Sequence, residues 1–531
     1  MISKKIPFFA VAALLACVIP VTNGAFASSS IEDEQFPSQF SAAPGMHGFE
    51  LNEVSGLRDN VSVLTGSDST GQKICTSTTA SACSSSAGYS FRAVLGPCTG
   101  AVVVDCIEGV TGTLSDGTSA AGVFKQYFPL QGVTDFVGSP SEGVPSGGPP
   151  SLWTLSGVPH NFGNDYQVTV EVVGSKKIGD ALTPTRSVFA SGTPVSLFQT
   201  ACDVRYNGHC MDTFREEVGL NGQKTIGFAG VAADQDAGIR CLNWGENGKC
   251  ALKHAFPAGV KFALKVRLST SPSGWLHGRM QDPVASIDRV NNVTTINIAA
   301  NPTKVPIISG VGQWAVLPTA IQESFTAKCA NVRCGTRQPQ EAQGGYLTMS
   351  VADRNIIFGP SAFSTEAFEQ IKLWTGFLKD TASAMPSQWS VRTLGDSEMQ
   401  RAPSCIKSGV GVTGIVATNA SAYSEGPPTF DPVTSSLNYK VAALHFEKDG
   451  VTPFKGQYNL ILRSDIANCL YGVSDSTKEA SVSVTGEDGV AKAATTAFTY
   501  NNGWFSFSAK GFTHSAPIIK VKLTSPQNDV K

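Results

Sequence analysis

The chain has 531 residues, and 40 Lys and Arg against 42 Asp and Glu give it a formal net charge of −2 at neutral pH. So small a charge on so long a chain excludes an electrostatic case for nucleic acid or anionic membrane as a partner. Only 15% of residues are charged while Gly numbers 53, a composition that disfavours helical bundles and suits an all-β protein with many turns.

At the N-terminus, Lys4 and Lys5 precede an apolar run from Ile6 to Val21, then the polar Thr22-Asn23-Gly24 and the small-residue site Ala25-Phe26-Ala27. That is the layout of an export signal over residues 1–27, with cleavage expected after Ala27 and a secreted or cell-surface product. A competing route reads Leu14–Cys17 as a lipobox in which Cys17 is acylated; the apolar Val18-Ile19-Pro20 that follows favours the first route. Loss of Lys4 and Lys5 takes the net charge to −4. No later stretch reaches the roughly 18 uninterrupted apolar residues of a membrane span, so no transmembrane span is expected in the mature chain. About 500 mature residues imply two to four domains.

Residues 28–137 read as an N-terminal β region with two cysteine pairs. The stretch 138–151, GSPSEGVPSGGPPS, reads as a Pro/Gly/Ser linker, with a long loop inside one domain as the alternative. Residues 152–305 read as a β domain, because Tyr166–Gly174, Lys261–Ser269 and Val293–Ala300 alternate apolar with polar residues. Residues 306–400 form a mixed region with one amphipathic helix near 364–381, where Phe368, Ile371, Trp374, Phe377 and Leu378 recur every three or four residues. Ser364 or Thr365 offers an N-cap there, and Glu366 and Glu369 suit the first turn. Residues 401–531 alternate again in Tyr458–Ser464, Ser481–Gly486, Trp504–Phe512 and Ile518–Thr524, and read as a C-terminal Ig-like β-sandwich. Turn signals at Glu246-Asn247-Gly248 and Asn501-Asn502-Gly503 separate strands. The expected fold class is all-β and multidomain, with Ig-like or related sandwich modules, disulfide-stapled loops and that one helix.

Cysteine carries the strongest signal. Setting Cys17 aside leaves twelve, an even number, which in an exported chain implies six disulfides. Nearest-neighbour pairing gives Cys75–Cys83, Cys98–Cys106, Cys202–Cys210, Cys241–Cys250, Cys329–Cys334 and Cys405–Cys469, since short loops close at low entropic cost. Cys75–Cys106 with Cys83–Cys98 is a second solution for the first four. No C-x2-C occurs, which argues against zinc.

Chemistry is harder to find. His47, His160, His209, His254, His277, His445 and His514 are scattered, with no H-E-x-x-H or H-x-H among them. The G-x-x-x-x-G-K-S/T loop and the G-x-S-x-G nucleophile elbow are absent too, and no catalytic residue, cofactor or metal is assigned. Gly395–Met399, GDSEM, is similar to the nucleophile block of SGNH-type hydrolases with Ser397 as nucleophile, but it lies late in the chain and no Asp-x-x-His follows. Asp234–Gly238 is half of a calcium loop, lacking the Glu at its twelfth position. The seven tryptophans, Trp153, Trp244, Trp275, Trp314, Trp374, Trp389 and Trp504, have no regular spacing and read as core anchors. Asn60, Asn292 and Asn419 open glycosylation sequons.

Several stretches resemble a loose group of exported, uncharacterised actinobacterial proteins: Gly96–Val110, Val158–Gly163, Ser273–Pro283, Gly414–Tyr423, Gly456–Asp475 and Asn502–Leu523. The resemblance is densest over 404–523. It implies export, β-rich modules and a cell-envelope or extracellular setting, and no activity or ligand. The expectation for function is therefore a non-catalytic structural, adhesive or ligand-binding role, with envelope or extracellular polymers or proteins as partners. The rivals are a secreted hydrolase or glycan-acting enzyme with an active site assembled from distant residues, and a carbohydrate-binding protein.

Overall fold

In the computed structural model, residues 46–524 are described apart from 52–59, 87, 178–186, 200–209, 220, 230–239, 270–271, 273, 332–364, 395–398, 400–401, 408–410, 425, 473–478, 487 and 515. The fold is all-β with several sheets and few helices. Its spine is one continuous sheet whose strands run, side by side, Gly71–Cys75, Val63–Asp68, Gly88–Val94, Asp165–Lys177, Ser187–Gln199, Ser390–Thr393, Gly274–Arg279, Val412–Thr418, Gly456–Arg463, Trp504–Phe512 and Thr495–Asn501. Every neighbouring pair in that path is antiparallel except Gly274–Arg279 with Val412–Thr418.

A second sheet covers one face of this spine. Its strands are ordered Gln281–Val290, Val293–Asn301, Lys261–Leu268, Cys106–Thr113 and Ser119–Ala121. Phe262, Leu264, Ile296 and Ile298 meet Val168, Val170, Leu276, Ile415 and Ala417 in one core. A third sheet covers the other face and is ordered Ala422–Tyr423, Ser436–Ala442, Ile518–Thr524 and Glu479–Thr485. Leu437, Val441, Ile519 and Val521 there meet Trp275, Val416, Tyr458, Leu460, Phe505 and Phe507 in a second core. Gly274–Arg279 and Val412–Thr418 are buried at every position. A strand enclosed on both faces has no polar side to show, so these two do not alternate.

Three expectations need correction. First, 138–151 is a packed loop and not a linker. Phe136 bridges Gly147 and Ser139 bridges Val144, Gly148 donates to the Val94 carbonyl, and Val144 is 1% exposed. Gly138 and Gly147 serve close approach here, since a Cβ on them would meet the Val144 oxygen at 2.3 Å and the Phe136 ring at 2.4 Å. Second, sheet pairing crosses the boundaries expected at 305/306 and 400/401, because Ser390–Thr393 lies between strands of the 152–305 region and Val412–Thr418 pairs with Gly274–Arg279. The C-terminal sandwich shares the spine sheet. Numbered 1 to 9 in chain order from Val412–Thr418, with the short Thr429–Asp431 as the third and paired only with Ser436–Ala442, its strands run 1-5-8-7 on one sheet and 2-4-9-6 on the other, a different arrangement from the ABED/CFG order of immunoglobulin domains. Third, the expected helix is Thr365–Thr375 and is joined by Thr319–Asn331 and Ser464–Tyr471. It buries Ala367, Ile371 and Trp374 as its periodicity requires. It stops short of 381 because Gly376 follows and Lys379 and Asp380 take left-handed conformations.

Four disulfides are present among the described residues: Cys75–Cys83, Cys98–Cys106, Cys241–Cys250 and Cys405–Cys469, with Cα separations of 5.9, 4.9, 5.5 and 5.9 Å. The crossed alternative for the first four cysteines is therefore not the one formed. Cys202 and Cys334 lie outside the described residues, as do residues 1–27, Ser397 and 234–238.

Candidate functional site

The arrangement nearest to reactive chemistry joins residues that are far apart in sequence. The loop after strand Ser151–Thr154 is closed by the His160–Gly163 bridge and anchored by buried Val158, whose carbonyl accepts from the Tyr166 hydroxyl at 2.9 Å. His160 accepts the Phe162 N–H at Nδ1 and meets the Asp165 carbonyl at Nε2, 3.1 Å away, so its proton sits on Nε2. His254 follows strand Lys249–Lys253, and its N–H donates to the Pro194 carbonyl at 2.9 Å. That contact brings its Nε2 within 2.8 Å of Ser196 Oγ. The Phe162 ring stacks on His254 at 4.1 Å, the His160 ring at 5.4 Å. His254 is 1% exposed and Phe162 53%, so Phe162 covers the imidazole. A serine hydroxyl bonded to an imidazole is the first element of a nucleophilic site, and a third group orienting the base is the second.

Of two further polar clusters, one is interior and the other partly buried. At the contact of the spine with the third sheet, His277 stacks on Tyr423 at 3.8 Å and 6°. The Arg279 guanidinium lies 4.5 Å from the same ring and donates to the Thr418 and Ala420 carbonyls at 3.2 and 2.6 Å. Arg392 donates to the Tyr423 hydroxyl at 3.2 Å. Burial, then the charges of Arg279 and Arg392, hold the His277 pKa well below its usual value, so the ring is neutral. Burial raises the Tyr439 and Tyr458 phenols well above theirs. The Tyr439 hydroxyl is buried and has no hydrogen-bond partner. Tyr439→Phe is therefore expected to raise stability by about 1 kcal/mol, measured by urea unfolding, because it removes an unsatisfied buried group and leaves the ring packing.

In the second cluster, the Asp380 carboxylate meets His445 Nδ1 at 2.6 Å and accepts the His445 backbone N–H at 2.8 Å. His514, 1% exposed, stacks on Phe454 at 4.9 Å, and neither of its ring nitrogens has a hydrogen-bond partner. Burial, and to a lesser extent His445, push its pKa down to about 3.

Between the spine and the second sheet lies a narrow, mainly apolar crevice lined by Val170, Leu264, Leu276, Ile298 and Trp389, among others. Trp153, Trp244, Trp275, Trp374 and Trp389 are all buried, the role the sequence suggested; a flat sugar platform needs exposed rings. Of the sequons, Asn60 and Asn419 are buried at 4% and 6% exposure, and only Asn292 stands in an exposed turn. Among the described residues no three His, Cys, Asp or Glu side chains converge as a metal-holding group, and no helix is long and apolar enough to cross a membrane.

Sequence reading found none of these groupings, since His160 and His254 are 94 positions apart and meet only through strand pairing. Val158–Gly163, noted for its resemblance, is the single local signal at the Ser196 site. No protein-family model matches the chain, and no curated protein is significantly similar to it.

Proposed function

We propose that this is an exported, non-catalytic β-protein that works in adhesion, envelope structure or ligand presentation. The observation that carries the reading is the loop closed by Cys98–Cys106, which holds Val102 and Val103 in water at 46% and 54% exposure. A covalently closed loop offers apolar contact area with little ordering cost on binding. The disulfides suit an oxidising compartment. Residues 1–27 acting as a signal cleaved after Ala27, and kinship with the exported actinobacterial group, complete the reading. Its test is co-sedimentation of the purified oxidised chain with isolated cell envelopes. Binding that falls at least tenfold in Val102→Ser/Val103→Ser supports it, and no sedimentation above a control protein overturns it.

The Ser196–His254 hydrogen bond favours a second reading, a secreted hydrolase with Ser196 as nucleophile and His254 as base. A fluorophosphonate probe decides it. Labelling that is lost in Ser196→Ala establishes the enzyme; an unlabelled wild-type chain leaves the bond as a strand-to-strand clasp.

A further inference from the structure

The spine sheet ends in Thr495–Asn501, which among the described residues pairs only with Trp504–Phe512. Asn501 and Trp504 flank the two-residue turn Asn502-Gly503 and so exchange hydrogen bonds. Ladder alternation then turns the backbone N–H and C=O groups of Thr496, Phe498 and Tyr500 outward, away from that neighbour. The strand carries no charge and no proline, and each of its residues except Phe498 is exposed. Other long edges in the molecule are blunted, as sheet edges usually are. Gly71–Cys75, at the far end of the spine, is met by the hairpin of Thr213–Val218 and Lys224–Ala229: Glu216 accepts the Ile74 N–H, and the Ile226 N–H donates to Gln72. Gln281–Val290 carries Asp282, Pro283, Asp288 and Arg289. Glu479–Thr485 carries Glu479, and its Val484 carbonyl accepts the Lys492 N–H.

The open edge is complementary to itself. Phe498 packs on Phe507 with ring centroids 5.2 Å apart, and Tyr500 on Phe505 at 4.7 Å, so the two rings rim the core that holds Phe505 and Phe507. We propose that two copies of this chain pair antiparallel along Thr495–Asn501, about a two-fold axis at Phe498, into a dimer with one spine sheet running through both. In that register Phe498 faces Phe498, Thr496 of one copy faces Tyr500 of the other, and Ala497 faces Thr499. The outward backbone groups of Thr496, Phe498 and Tyr500 then all find partners, and the apolar rim of one core continues into the next. A cross-strand aromatic pair adds to the ladder. Because the strand is uncharged, the symmetric register sets no like charges face to face. A charged partner would find no counter-charge on it, which favours a second copy. The dimer is independent of the function proposed above.

Sedimentation equilibrium of the full oxidised chain, over about 1–100 μM, tests the pairing. The expected result is a monomer–dimer equilibrium that approaches twice the chain mass. Ala497→Lys/Thr499→Lys alters two exposed side chains on the face shared with Ser506 and Ser508 and is expected to fold. It sets lysine opposite lysine across the axis and should raise the dissociation constant at least about tenfold. Ala497→Glu/Thr499→Glu should do the same. An equimolar mixture of the two variants should restore the dimer, because lysine then faces glutamate; a misfolded variant could not be rescued in this way. A wild-type chain that stays at one chain mass throughout, a dimer as tight in the lysine variant as in the wild type, or a mixture that remains monomeric would overturn the assignment.

Discussion

Acidification below pH 6.5 is expected to destabilise this protein by about 1.4 kcal/mol per pH unit for each histidine that stays neutral in the folded state. Among the described residues His277 and His514 are two such groups, with folded pKa values depressed mainly by burial. The unfolded chain therefore binds their protons first. Their contribution to stability is level above pH 6.5, the unperturbed value, and falls as pH drops; for His514 the fall continues to about pH 3. Over the span to about pH 4, His514 alone accounts for roughly 3 kcal/mol. Asp135 and Glu366, whose carboxyls burial raises, act in the opposite direction. Glu108 and Asp465, lowered chiefly by hydrogen bonds from Arg267 and Arg463, add to the loss in the acidic part of the range. Urea unfolding at a series of pH values measures the slope. His514→Phe, which keeps a ring between Phe454 and Phe512, should reduce it by about one proton's worth; an unchanged slope would refute the assignment.

Removing the Cys405–Cys469 bridge is the second large effect. It closes 64 positions of sequence, and loop-closure entropy for that length is worth about 4.3 kcal/mol, against about 2.6 kcal/mol for Cys98–Cys106. Its ends lie in the short helices Ser404–Lys407 and Ser464–Tyr471, whose Ile406 and Ile466 enter the same core. Helices this short have little stability of their own, so the crosslink and the two isoleucines hold them together. Cys405→Ser/Cys469→Ser should lower the urea midpoint clearly more than Cys98→Ser/Cys106→Ser. Equal losses would show that loop length does not govern these bridges.

Strand content was legible in several strands that have one wet face. Lys261–Leu268 and Val293–Asn301 alternate half-buried and buried positions without a break, as their sequences do. Asn502-Gly503, with both residues at positive φ, turns the chain between Thr495–Asn501 and Trp504–Phe512. Cys75–Cys83, Cys98–Cys106 and Cys241–Cys250 needed only short loops, while Cys405–Cys469 followed as the remaining neighbour pair. Helix Ser464–Tyr471 was missed because its eight residues span barely two turns, too few for a 3.6-residue period to stand out.

By itself, then, the sequence determined period, turns and close crosslinks, because each depends on residues within one strand or one short loop. Only the tertiary structure decided that Val412–Thr418 lies beside Gly274–Arg279, that 138–151 packs on the first sheet, and that Ser196, His160 and His254 meet. Those outcomes follow from which apolar faces cover one another across hundreds of residues. A face can be recognised from its own strand, but its partner is chosen by the burial of the whole.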